Sequence, residues 1–300
     1  MNAEPEITCQ LVQKLIGEQF PQYRDLDVYP VERSGHDNRT FHLGKELAVR
    51  LPSGRGYASQ VEKESRWLPY LQARLDFPIS SPVALGRPSG DFPYPWSINN
   101  WLEGDTLLED TLLDQEALAA DLADALGKLQ AVDCRQGPRG GAHNCYRGCD
   151  LSVYHGEVLE AADRLGRVLP SDRLLALWEE SLGAPYRGEA VWVHGDVAPG
   201  NILVRNHRFY GLIDFGVLGT GDPSCDYAMA WTYFDFPGRS RFLRGLDAGL
   251  VLRARGWALW KALITYEDAN SASRENARRT VDVLLGDSAA DLPLREQPLR

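Results

Sequence analysis

Apolar residues recur at helical spacing near the start of the chain. Leu11, Val12, Leu15, Ile16 and Phe20 share one face, and Thr8 stands where an N-cap belongs. Extended runs follow at 26–33 (LDVYPVER), 39–43 (RTFHL) and 46–51 (ELAVRL). Gly44-Lys45 separates the last two and predicts a hairpin. The stretch 57–71 returns to helical spacing, with Val61, Glu64, Leu68 and Leu71 near one face. Pro78, Pro82, Pro88, Pro93 and Pro95 then interrupt the pattern, and WSINNWLEGDTL leads into a half of different character. There Leu118, Leu122, Leu126 and Leu129 form a buried-face stripe within 116–130. Further helices are predicted around 153–168, 172–182, 226–234, 241–268 and 273–285.

Inside this helical half, residues 192–216 read WVHGDVAPGNILVRNHRFYGLIDFG. VWV (191–193), ILVR (202–205) and FYGLI (209–213) are strand-like, with Asn206-His207 as the turn between the last two. The polar residues therefore fall at strand ends and in loops, where a rigid scaffold presents them to a ligand. The pattern as a whole predicts an α+β chain of two lobes. A small β-rich N-terminal lobe spans 1–103, a hinge lies near Asn100–Glu103, and a larger, mainly helical lobe spans 104–300. No internal repeat is evident, and the tail from Ser288 is expected to fray.

Composition narrows the function classes. In 300 residues, 32 Lys and Arg face 42 Asp and Glu, a net charge of −10, and the pI is near 5.1. Such a balance argues against nucleic acid or an anionic membrane as partner. The opening MNAEPEIT lacks the basic and apolar regions of a secretory signal, and the apolar run WALWKALITY is broken by Lys261. Five cysteines, an odd number, fit a reducing cytoplasm. His143, Cys145 and Cys149 supply at most three zinc ligands, and Cys134 is not at a standard spacing from them. A Gly-rich loop with incidental thiols is the preferred reading there.

Asp196 and Asn201 lie five residues apart across a Pro-Gly turn, and Asp214 opens a literal Asp-Phe-Gly. Phosphoryl transfer needs such a set: one carboxylate to accept a hydroxyl proton, and an amide oxygen and second carboxylate to hold Mg²⁺ on the phosphates. The protein-kinase pattern H-R-D-L-x-x-x-N followed by D-F-G has the same Asp-to-Asn interval, read here as HGDVAPGN and IDFG. Gly195 replaces the Arg that in many protein kinases contacts an activation-loop phosphate. The pattern HGDxxxxN…IDFGxxxxGDPxxDxA resembles the aminoglycoside phosphotransferase family, which also holds choline, macrolide, homoserine and methylthioribose kinase-like enzymes. Its fixed positions are met by His194, Gly195, Asp196, Asn201, Asp214, Gly216, Gly221, Asp222, Pro223, Asp226 and Ala228.

The resemblance implies a bilobal, protein-kinase-like fold with the nucleotide in the N-terminal lobe and catalysis and substrate binding in the C-terminal lobe. It makes Asp196 the catalytic base, Asn201 and Asp214 the Mg²⁺ ligands, and His194 a buttress of the catalytic loop. Asp222 and Asp226 either tie down loops or line the substrate side. In the N-terminal lobe, SGHDN (34–38) lies between two predicted strands, as a phosphate-covering loop should, and offers Ser34 and Gly35. Arg50 takes the place where most of the superfamily has a lysine, with Glu64 as its helix partner and Glu62 as the alternative. Backbone groups near Asn100 and Leu102 would read the purine, which leaves ATP and GTP both open.

HNCYRGCDLSVYHGEVLEAADRL also looks like part of a subset of the family, so Arg147 either approaches the substrate or is a solvated loop arginine. The activity implied is Mg²⁺-dependent transfer of the terminal phosphate of ATP or GTP to a hydroxyl of an aminoglycoside-like small molecule, with antibiotic resistance as its context. The alternatives are a metabolic or macrolide kinase and a non-catalytic nucleotide binder. Intact Asp196, Asn201 and Asp214 argue against the last. The charge balance, with Asp226, Asp235, Glu267 and Asp268 after the DFG-like motif, points to a cationic acceptor.

Overall fold

A computed structural model describes residues 6–32, 35, 37–108 and 113–287. The chain divides into two compact bodies, Met1–Gly104 with Tyr210–Val217, and Asp105–Phe209 with Leu218–Arg300. The hydrophobic pattern did not signal that 210–217 would join the first body. Backbone bonds account for it: Leu212 N donates to Pro78 O, and Ser80 N donates to Leu212 O. Gly211 permits this approach, since a Cβ there would lie 2.5 Å from Pro78 O.

In the first body, helix α1 (Cys9–Gln19) starts where Thr8 accepts a hydrogen bond from Leu11 N. Strands β1 (Val28–Pro30), β2 (Asn38–Leu43) and β3 (Leu47–Pro52) follow, then helix α2 (Ala58–Gln72), β4 (Pro82–Gly86) and β5 (Trp96–Asn100). They form one antiparallel sheet in the order β1-β2-β3-β5-β4. The β2–β3 hairpin turns through Gly44 at φ 62°, a conformation that glycine adopts without Cβ strain. Val12, Leu15 and Ile16 of α1 pack on Phe41, Leu43, Val49, Trp96 and Ile98 of the sheet. β4 and β5 lie in the proline-rich stretch where the pattern gave no strand. Pro82 is tolerated because it starts an edge strand, where a missing N–H breaks no inner ladder.

The second body begins with β6 (Asp105–Thr106) and α3 (Gln115–Ala131), whose leucine stripe is buried as its spacing predicts. Helices α4 (His155–Leu165) and α5 (Ser171–Leu182) lead to β7 (Val191–Val193) and β8 (Ile202–Arg205). Asn206 and His207, both in the left-handed region, turn the chain into β9 (Arg208–Leu212). β10 (Gly219–Gly221) pairs with β7, and β6 with β8. The helices predicted at 226–234 and 241–268 are broken differently. A 3₁₀ turn precedes α6 (Met229–Thr232), and α7 (Phe236–Phe242) is separated from α8 (Ala248–Thr265) by Gly245 at φ 84°. Helix α8 packs against α4, α5 and α9 (Ser271–Gly286) and is buried on nearly every side. No helix among the described residues is long and apolar enough to cross a membrane. Ser34 and the tail from Ser288 lie outside the described residues.

Candidate active site

The loop after β7 is shaped by a buried acid. Asp226 accepts from the backbone N–H of His194 (2.8 Å) and of Gly195 (2.7 Å), with no exposure to solvent. Burial pushes its carboxyl upward in pKa, while His194 and the two backbone donors oppose the shift. Gly195 adopts φ 86°, which explains glycine where protein kinases carry arginine. His194 is fully buried, and its Nδ1 accepts from Asp196 N at 3.2 Å. Asp226 and His194 thus hold the backbone on both sides of Gly195 and fix where Asp196 emerges.

The Asp196 carboxylate is 40% exposed and held at both oxygens. Asn201 Nδ2 donates to its Oδ2 and to its backbone oxygen, each at 2.9 Å. Lys261 Nζ, on α8, lies 3.3 Å from Oδ1. Burial raises the carboxyl's pKa, but the charges of Lys261, His194 and Arg147 outweigh it and hold Asp196 below its ordinary value. The group is therefore ionised at neutral pH and able to accept a proton. Arg147 Nε donates to Gly195 O at 2.9 Å, and its guanidinium lies over the rings of Trp257 (5.1 Å) and Trp260 (4.9 Å). Asp196, Arg147, Trp257, Trp260 and Lys261 line a pocket of about 100 Å³ within the second body.

A second cluster lies in the first body. Arg50 Nη1 donates to Glu64 Oε1 (3.1 Å) and Oε2 (2.9 Å), and its Nη2 to Asp214 Oδ1 (3.0 Å). Glu64 is only 3% exposed whereas Asp214 is 37% exposed. Glu62 is exposed, which leaves Glu64 as the partner of Arg50. Burial disfavours the Arg50 charge, yet Glu64 and Asp214 more than compensate and raise its pKa. Burial likewise raises Glu64, against the pull of Arg50. Gln60 Nε2 donates to Asp37, and a Cβ on Gly216 would meet Gln60 Oε1 at 2.7 Å, so Gly216 leaves room for this contact. A Cβ on Gly35 would stand 3.8 Å from Asp214 Oδ2, which places Gly35 beside the acid.

The chain matches the family model of the phosphotransferase enzyme family (APH) over residues 30–263. The chain belongs to this family. No curated protein matches it. Among solved structures, the GDP complex of aminoglycoside 2'-phosphotransferase-IIIa is similar at 19% identity, with a TM-score of 0.70 over 93% of this chain and 98% of that one. Macrolide 2'-phosphotransferase type I is similar at 20% identity and TM-score 0.62, over 91% and 96% of the two chains. The apoenzyme of macrolide 2'-phosphotransferase MphH from Brachybacterium faecium gives 19% and 0.59, over 91% and 97%. The protein is thus a phosphotransferase with a kinase-like fold, β-rich in its N-terminal body and helical in its C-terminal one.

Not every residue expected at the site of this phosphotransferase reaches it. Asp226 lies under the catalytic loop, and Asp222 is clamped by Arg253 Nε (2.7 Å) and Nη2 (3.2 Å) in a buried pair, so both tie down loops. Asp235 caps α7 through Gly238 N, and Asp268 accepts from Asn270 N and Ser273 Oγ at the start of α9. Those bonds hold Asp268 below its ordinary pKa. Glu267 pairs with Arg164 on the surface. None of Asp226, Asp235, Glu267 and Asp268 is among the residues that line this pocket. For Asp235 and Asp268 the physical reason is local: an Asp at a helix start satisfies N–H groups that would otherwise go unpaired.

Asn100 Oδ1 accepts from Ser81 N at 2.6 Å, so its side chain ties β5 to the β4 side, and Leu102 follows in irregular chain. Cys134 donates to Ala190 O and His143 contacts Arg139 O. No grouping of three His, Cys, Asp or Glu suited to a metal occurs among the described residues. Lys261, Trp257 and Trp260 were missed as site residues. Their signal was a lysine inside WALWKALITY, read only as an interruption of an apolar run.

Proposed function

We propose that this phosphotransferase moves the terminal phosphoryl group of ATP or GTP to a hydroxyl of a small molecule, with Asp196 as the base. The observation that carries this reading is the setting of Asp196: part-exposed, held at one oxygen by Asn201 and at the other by Lys261, and on the wall of a pocket. The acceptor oxygen bonds to phosphorus as the bridging P–O bond to the departing diphosphate breaks, and the hydroxyl proton passes to Asp196. In the first body, Glu64 holds the Arg50 guanidinium rigidly, so that it is set to grip phosphate oxygens without losing side-chain freedom on binding.

Each of the two expected Mg²⁺ ligands, one in each body, offers an oxygen of the kind the ion takes. Asp214 offers a carboxylate, and Asn201, whose amide nitrogen is taken by Asp196, keeps its amide oxygen as a donor. Both are hard oxygens, and Mg²⁺ characteristically takes one or two protein ligands and completes its shell with phosphate and water. When bound, it would neutralise charge on the phosphates. The solved relatives named above include a GDP complex, and a further one is a complex of APH(2")-IIIa with GDP and kanamycin. These support a nucleotide donor and an antibiotic-like hydroxyl acceptor, aminoglycoside or macrolide. The test is a screen of aminoglycosides, macrolides and amino alcohols with each nucleotide, read by mass. The expected result is a product heavier by one phosphoryl group for at least one acceptor. Nucleotide-dependent mass gain in none of the classes would refute the acceptor reading.

A further inference from the structure

The pocket beside Asp196 carries an unusual charge pattern for a chain of net charge −10. Among the described residues that line it, Asp196 is the sole carboxylate, while Lys261 and Arg147 are both cations. Arg147 cannot swing away easily, because Gly195 O holds its Nε and two indole rings lie beneath its guanidinium. Lys261 is 48% exposed and rests on Asp196 Oδ1. None of the neighbouring acids lines the pocket. Glu157 accepts the indole N–H of Trp260, Asp226 is buried beneath the loop, and Asp268 and Glu267 are engaged at α9 and at Arg164. The remaining lining is small and mostly apolar, including Ala198, Pro199, Ala228 and Ala277.

Building on the phosphotransfer reading above, we infer that this pocket selects a hydroxyl compound whose reactive end has zero or negative charge. An ammonium there would have to displace Lys261 from Asp196 and sit close to the fixed guanidinium of Arg147. Like charges in such a partly desolvated space repel more strongly than in bulk water. A carboxylate or uncharged hydroxyl instead leaves the Lys261–Asp196 contact in place or gains a cation. Lys261 is therefore a specificity-determining residue, and its place on α8 sets which acceptors reach the base.

The experiment uses one scaffold in three charge states: D-glucosamine, D-glucose and D-glucuronate. Binding of each is measured by calorimetry at low ionic strength to the wild-type chain and to Lys261→Glu, with circular dichroism to confirm that the variant folds. In the wild type, glucuronate and glucose should each bind more tightly than glucosamine. In Lys261→Glu, glucosamine should gain at least about 10-fold relative to glucuronate, the scale of a direct charge reversal at a binding site. Lys261→Gln, which removes the charge without reversing it, should shift the ratio the same way by less. Wild-type preference for glucosamine, a ratio unchanged by both variants, or no binding of any of the three overturns the inference. Phosphate transfer from labelled ATP and GTP to the same sugars is recorded in parallel. Affinities that sort as expected while no label moves would leave the selectivity standing and count against the phosphotransfer reading alone.

Discussion

Two clusters of opposite charges carry the account, and they differ in how wet they are. Arg50 and Glu64 are almost wholly enclosed, and the guanidinium bridges to Asp214, which is partly open. Asp196 and Lys261, in the other body, are each nearly half exposed. A buried pair is a weak source of net stability, since desolvation offsets most of the attraction, but it fixes geometry and makes the loss of one member costly. An exposed pair contributes little to stability and leaves its carboxylate free to exchange partners and protons. On the proposed function, the dry cluster holds a cation in place and the wet one does the proton chemistry.

The first way to break this contrast is at the open end of the dry cluster. Asp214→Ala should lower kcat/KM by more than about 10²-fold, the size seen when a preorganised charge-stabilising group is lost. It should also abolish the magnesium dependence of nucleotide binding, and Asn201→Ala should weaken it. A magnesium titration of nucleotide affinity checks both, and an unchanged dependence in both variants removes the metal role.

A smaller effect should come from the enclosed pair itself. Arg50→Ala and Glu64→Ala should each raise nucleotide KM or lower kcat, and together they should be non-additive by about 1 kcal/mol or more in a double-mutant cycle, as contacting residues are. Full additivity would show that the bidentate contact does not act as one unit. Arg50→Lys should not restore the wild-type rate, because an ammonium lacks the forked donors that reach Glu64 and Asp214 together.

The smallest effect tests the wet cluster by pH. The Asp196 pKa is depressed, so the base stays ionised at neutral pH, and activity should fall only as pH drops through a value below the ordinary 3.8. Lys261→Met removes the largest of the charges that lower it and leaves burial to raise it. The acidic limb of kcat/KM should then move upward by about one to two pH units, the usual reach of one neighbouring charge. An unmoved limb would mean that Lys261 does not tune the base.

Much of this was legible in sequence where the determinants are local. Thr8 caps α1, Glu64 falls on the inward face of α2, and the spacing of His194, Asp196 and Asn201 places all three on one loop. The Lys261–Asp196 contact joins residues far apart in the chain, and no periodicity records such a meeting. Helix α8 is buried on most sides, so its apolar pattern has no stripe from which an outward lysine could be read as functional. Asp235 and Asp268 look alike in sequence whether they cap a helix or face a substrate, and only the hydrogen bonds separate the two roles. Strands β4 and β5 were hidden by prolines, which are compatible with an edge strand and its flanking loops.

Whether Asp196 takes the acceptor proton is decided by the Asp196→Asn variant. The amide keeps the size of the side chain and can still bond to Asn201 but cannot accept the proton, so nucleotide affinity should be unchanged. Turnover of the best acceptor from the screen should fall by about 10²–10⁴-fold, the usual contribution of a positioned acid–base group. Turnover at the wild-type rate with nucleotide affinity intact would contradict the account.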